Sequence, residues 1–164
     1  MRSEDLKITE SDGAYLVEVS GRANFDYAVP LRELSGKLTE STKLQIDLSN
    51  CEAMDSTFMG VLTMLALKLR KRGFQVMLIG ASEVLLKLLR DLGVAKLFNC
   101  VGEREFAGGV KVETAVAGDM LTTAETVAEA HKALVGADES NAEKFKQVIE
   151  FADKDVERLK KSNQ

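Results

Sequence analysis

An α/β fold, a small mixed β-sheet with helices packed against it, is predicted by three observations. Residues 6–10 and 14–20 alternate apolar and polar side chains, the period of a strand covered mainly on one face. Residues 44–48 and 74–79 are short apolar runs, the second almost unbroken, as expected of a strand covered on both faces. Leucines recur at helical spacing between and after these runs.

The first two strands flank Ser11-Asp12-Gly13, a turn signal, and so form a β-hairpin that Gly21 ends. A helix over about residues 30–38 places Leu31, Leu34 and Leu38 on one face, with Pro30 in its first turn, where the missing N–H leaves no bond unmade. The strand at 44–48 is followed by a loop at 49–54 and a helix over about 56–72. Phe58, Val61, Leu62, Leu65 and Leu69 form the buried stripe of that helix. Lys68, Arg70, Lys71 and Arg72 crowd its negative end, and Gly73 suits the left-handed residue that follows. After the strand at 74–79, Ser82 caps a helix with Val84, Leu85, Leu88, Leu89 and Leu92 facing inward and Gly93 as its stop. Residues 94–101 supply a last edge strand. The order β-β-α-β-α-β-α-β joins a hairpin to two right-handed strand–helix–strand crossovers, each setting parallel strands side by side.

Composition changes after Arg104, and Gly108-Gly109 is the expected hinge. The chain thus divides into a sheet domain over residues 1–109 and a helical extension over 110–164. Thr122 with Glu125 forms a capping box for a helix to about Val135, with Gly136 as its stop; Ser140 with Glu143 opens another, to about Lys161. Phe145, Val148, Ile149, Ala152, Val156 and Leu159 share one side of the second helix. The extension is therefore a helical hairpin with an apolar stripe that needs burial. Covering the sheet, pairing with a second copy and holding a partner would each bury it. Packing within the molecule or in a homodimer is the expectation, because helices of this length gain most of their stability from packing.

At 164 residues there is room for one compact domain and an appendage. A net charge of -4, from 22 basic and 26 acidic residues, with no basic stripe interleaved with aromatics, argues against a nucleic-acid surface. The polar opening at residues 1–5 leads one to expect no signal peptide, and the longest apolar stretch, residues 58–67, is about half a bilayer span. A cytoplasmic protein without membrane contact is expected. Cys51 and Cys100 stand alone, as buried thiols of such proteins do. A single His leaves no basis for a metal cluster, and no phosphate- or dinucleotide-binding glycine motif points to a cofactor.

The most informative segment is residues 53–60, Ala-Met-Asp-Ser-Thr-Phe-Met-Gly. It follows a short apolar strand and opens a long amphipathic helix, so Ser56 stands beside Asp55 at the tip of a strand–loop–helix unit. Backbone N–H groups point outward there, and an added phosphate is tolerated. Asp55 is also a natural N-cap, which does not conflict with that role. Phosphorylating Ser56 would set about two negative charges beside Asp55. At ~6 Å a dianion and an anion repel by ~1.4 kcal/mol in water and ~5 kcal/mol at an effective dielectric near 20. Covering the pair with a partner moves it toward the second regime, and the difference of ~4 kcal/mol is roughly a thousandfold in affinity. The helix N-terminus offsets about 1 kcal/mol in the free and bound forms alike. A phosphate here is harmless on the free protein and penalised in a complex.

The run from Leu44 to Gly60, the basic helix end, Gly73, an apolar strand and Leu-Leu-Arg-Asp-Leu-Gly together resemble the STAS domain, over roughly residues 5–105. More narrowly they resemble the bacterial anti-sigma factor antagonists, or anti-anti-sigma factors, in which Met-Asp-Ser-Ser/Thr-Gly-Leu-Gly is typical. The resemblance implies that Ser56 is phosphorylated by a partner that is both serine kinase and anti-sigma factor. The unphosphorylated form would hold that partner and free a sigma factor, and a serine phosphatase would restore it. Asn24, Asp55, Ser56, Thr57, Phe58, Met59 and Gly60 fall on the implied partner surface. Two features depart from the pattern: Phe58 and Met59 replace the usual Gly and Leu, and Asn24 stands where many relatives carry Asp. A scaffold in a stress-signalling complex and an accessory subunit of a lipid transporter are the other roles such domains take. An enzyme is the competing class. A Ser–His–Asp device would need a positioned base, and His131, the sole His, falls in the extension on a stretch that reads as surface.

Overall fold

β1 (Leu6–Ser11) and β2 (Ala14–Ala23) pair antiparallel across Asp12 and Gly13, both at positive φ, as the turn signal requires. The computed structural model describes residues 6–38, 43–106, 108–114 and 119–162. The polar opening at residues 1–5 lies outside them.

β2 does not stop at Gly21. It runs on to Ala23 beside β3 (Lys43–Met54), with register irregularities around Ser20 and Gly21, where Gly21 takes φ +75°. β3 likewise continues through residues expected to be loop. A bulge absorbs the residue that breaks the alternation, so the strand persists where the pattern fails. Both strands end together: Ala23 pairs with Met54, and the Asp55 N–H donates to the Ala23 carbonyl at 3.0 Å.

Each strand then turns at once into a helix. α1 (Phe25–Ser35) begins five residues before the expected start because Asn24, not the proline, caps it, accepting from the Asp26 N–H at 2.9 Å; Pro30 lies inside the helix. α2 (Ser56–Arg70) is capped by Asp55, whose carboxylate accepts from the Phe58 N–H at 2.8 Å. At its far end the Phe74 N–H reaches back to the Leu69 carbonyl across Gly73 at φ +85°. β4 (Val76–Ile79), α3 (Glu83–Asp91), a short 3₁₀ turn at Ala95–Leu97 and β5 (Phe98–Val101) follow. β2–β3, β3–β4 and β4–β5 are all parallel, so the chain makes three crossovers rather than two. Val84, expected to face inward from α3, is 65% exposed.

The sheet has six strands in the order β5-β4-β3-β2-β1-β6. The sixth, β6 (Val110–Lys111), pairs antiparallel with β1 and comes from just beyond the expected hinge. Val17, Val19, Leu44, Ile46, Leu48, Val76 and Leu78 join the core with Leu31, Leu34, Phe58, Leu62, Leu65 and Leu69 from α1 and α2. On the opposite face the register aligns Thr9, Leu16, Gln45 and Met77, all buried. Gln45 accepts from the Glu105 N–H and donates to the Phe106 carbonyl, while Arg104 bridges Glu18 and Asp47. Of the two thiols, Cys51 is buried and Cys100 is exposed at the edge strand, contrary to expectation.

The extension folds as α4 (Met120–Ala137) and α5 (Asn141–Ser162), an antiparallel pair stacked outside α1 and α2. The caps differ from those expected. Asp119 caps α4, accepting from Leu121 and Thr122 N–H groups, and Gly136 lies within the helix. Ser140 turns its hydroxyl back to Asp138 instead of opening a box with Glu143. Asn141 pins the connection, donating to the carbonyls of Leu92 and Leu134, both at 2.9 Å. Among the described residues no helix is long and apolar enough to cross a membrane.

Candidate functional site

The carboxyl ends of β2 and β3 bring the N-termini of α1 and α2 side by side, and Asp55 sits between them. Its carboxylate is approached by backbone N–H groups of Phe58 and Thr57 from α2 and of Phe25 from α1. Burial nonetheless pushes its pKa up, outweighing these donors and the nearby His131. Ser56, the first residue of α2, is half-buried next to it.

What covers Ser56 is the extension. Its hydroxyl lies 2.8 Å from His131 Nε2 on α4, and His131 Nδ1 lies 2.7 Å from the Val127 carbonyl one turn earlier. A carbonyl only accepts, so Nδ1 carries the proton and Nε2 is left to accept from the serine. Burial lowers the His131 pKa and favours this neutral form. The imidazole is 2% exposed and meets the Phe145 ring edge-on at 4.9 Å between centroids. The surface reading of residue 131 was thus wrong. The signal was present in the spacing, since His131 follows Ala124 and Ala128 and precedes Leu134 on one apolar stripe.

Gly60 explains how α4 comes so near. A Cβ added there would lie 2.7 Å from the Ala130 Cβ and closer still to the Ala130 carbonyl. Only a glycine on α2 admits the α4 backbone at this point. Of the other residues expected on a partner surface, Thr57, Phe58 and Met59 are buried, Phe58 completely, and Asn24 is the α1 cap. Phe58 fills the core beneath the helix start, and Met59 belongs to the same core cluster.

The Ser56–His131 pair contains two parts of a nucleophilic device, but the imidazole is oriented by a backbone carbonyl and not by a carboxylate. A groove of about 670 Å³ lies close by, lined by Phe25, Met120, Val127, Val148, Phe151 and Leu159 among others; Ser56, Asp55 and His131 do not line it. No cluster of His, Cys, Asp or Glu among the described residues could hold a metal ion.

Comparison with known proteins agrees with this architecture. A sequence model described as "Mlab, STAS domain" matches residues 6–100, more than half of the chain. No curated protein matches in a sequence search. Among solved structures, the anti-sigma factor antagonist SpoIIAA in its unphosphorylated form superposes with a TM-score of 0.52 at 13% identity, over 61% of this chain and 90% of that one. A candidate anti-sigma factor antagonist from Thermotoga maritima gives a TM-score of 0.52 at 14% identity, over 61% and 87%. At such identities the likeness is one of fold, and the sheet with its crossover helices accounts for it. On the strength of the family match, the chain belongs to the Mlab-type STAS-domain family.

Proposed function

We propose that this protein is a non-catalytic STAS regulator switched by phosphorylation of Ser56, and that its unphosphorylated form holds an anti-sigma factor with serine kinase activity, freeing a sigma factor. A serine phosphatase resets it. The observation that supports this reading is the position of Ser56: first residue of α2, directly after the capping Asp55, where two helix N-termini converge. The dipoles of the two helices suit an added phosphate there, while Asp55, already short of solvent, makes that phosphate costly once a partner covers both groups.

The fold likeness to unphosphorylated SpoIIAA, described as an anti-sigma factor antagonist, is consistent with this role. Partner capture by wild type, Ser56→Ala and Ser56→Asp tests it. The alanine form should keep the anti-sigma factor and the aspartate form should lose it. Equal capture by all three would remove the switch from Ser56.

A second reading, an unswitched adaptor in a stress-signalling or lipid-transport assembly, is favoured by one observation. Part of the α2 face expected to meet a partner is already occupied by α4, with Gly60 packed against Ala130. Equal capture of one partner by the three forms is the result that reading expects.

A further inference from the structure

We propose that the α4–α5 hairpin is a lid built into the chain, closed over Ser56 and the outer face of α2, which must lift before a kinase or a partner reaches either. The inference deepens the reading of Ser56 given above and rests on it for its regulatory meaning.

The hydroxyl that would accept a phosphoryl group is engaged. Ser56 donates to His131 Nε2 at 2.8 Å, and the imidazole is held in that tautomer by the Val127 carbonyl. In-line transfer needs the serine oxygen free to face the donor phosphorus, with its proton passed to a base. With α4 seated, that oxygen faces an α-helix.

Closure depends on one close approach. Gly60 brings α2 against Ala130 with no room for a β-carbon. Gly60 is helical and not at positive φ, so alanine suits the α2 backbone, and the three atoms nearest an added β-carbon all belong to Ala130 of α4. The glycine is a seat for the lid more than a need of the helix that carries it.

The closed hairpin is also unevenly held. The end near its connection is anchored by Asn141 to the carbonyls of Leu92 and Leu134. At the opposite end, Met120, Val148 and Phe151 remain exposed around the groove beside Phe25. Arg32 and Glu129 make a two-point, partly exposed ion pair that ties α4 to α1, whereas Lys132–Asp153 joins α4 to α5 within the hairpin and does not hold it down. The hairpin contributes Ala130, Leu134 and Phe145 to the core, while most of its members come from the sheet, α1, α2 and α3 and pack against one another there. Such a division is what local, sub-global opening requires.

The test uses the full chain with Ser56→Cys as an accessibility probe and Cys100→Ser to remove the exposed thiol; Cys51 is buried. Its reaction with N-ethylmaleimide is compared with and without Gly60→Ala, alongside hydrogen exchange. Overpacking the seat should speed labelling roughly tenfold or more and raise exchange over residues 120–137, while residues 43–54 and 76–79 stay protected. Equal labelling rates, or α4 amides no less protected in Gly60→Ala, would overturn the lid. If Gly60→Ala fails to fold, His131→Ala is read in the same way, and unchanged labelling there overturns it. No arm involves a kinase or a partner, so this experiment and the capture experiment at Ser56 can fail separately.

Discussion

α2 and α5 are both amphipathic helices, yet they are held by different means. In α2, ten of fifteen residues are buried, including Phe58, Leu62, Leu65 and Leu69. In α5, which is longer at 22 residues, only Asn141, Phe145 and Ala152 are. α2 is bound by aliphatic area between the sheet and α4, whereas α5 touches the rest of the molecule mainly through α4. The lesson is that a stripe of apolar residues at helical spacing predicts a face, not how completely that face is covered. α5 has the sharper amphipathic pattern and the poorer burial.

Substitutions that separate the two modes sharpen the contrast. Phe58→Ala should cost ~3–5 kcal/mol of global stability by emptying a fully buried site. The same truncation at Phe151, 67% exposed on α5, should stay within about 0.5 kcal/mol. Denaturant unfolding of both variants measures this, and comparable losses would mean that α5 is buried in solution.

A smaller effect is expected at the anchor of the hairpin. Asn141→Ala removes two hydrogen bonds to buried carbonyls and should destabilise the hairpin by ~1–3 kcal/mol. Hydrogen exchange should show the loss over α4 and α5 and leave β3 and β4 unaffected. A uniform loss across the chain would show that the hairpin and the core open as one unit.

Smallest is a pH effect. Burial holds His131 below its usual pKa of 6.5, so the closed form refuses a proton that an exposed imidazole takes. Its contribution is therefore flat above about pH 6.5 and turns against closure as pH falls below it. Asp55 acts in the opposite sense at lower pH. Burial raises its carboxyl above 3.8, so the folded state gains the extra proton, and stability with it, as pH falls through that raised value. Exchange of α4 amides should accelerate as pH is lowered through the histidine range, after correction for intrinsic rates, and His131→Gln should abolish that dependence. A His131 pKa measured by NMR at or above 6.5 would contradict the buried, neutral imidazole.

The strands and helices of the sheet domain were legible because their signals are local. The alternation at 6–10, the unbroken run near Val76–Ile79 and the leucine spacing of α2 each mark an element without reference to the rest of the chain. Helix starts were less legible where competing signals overlap. Pro30 suits a first turn, but Asn24 caps α1 earlier, and Asp119 displaces the box at Thr122. The Asp55–Ser56 pair was readable as a unit, and its lid was not. Contact between Ser56 and His131 spans 75 residues, and the closeness of α2 and α4 rests on Gly60 and Ala130. Small residues carry no apolar signal of their own, so a tight approach between two helices leaves little trace in either one.

The proposed switch at Ser56, guarded by α4, makes a chemical prediction. Its most direct test is peptide mapping by mass spectrometry, with wild type and Gly60→Ala incubated side by side with the cognate serine kinase and ATP. A phosphoryl group on Ser56 in both proteins, appearing faster in Gly60→Ala, is the result predicted here. An unmodified Ser56 in both, with phosphate elsewhere or nowhere, would contradict it.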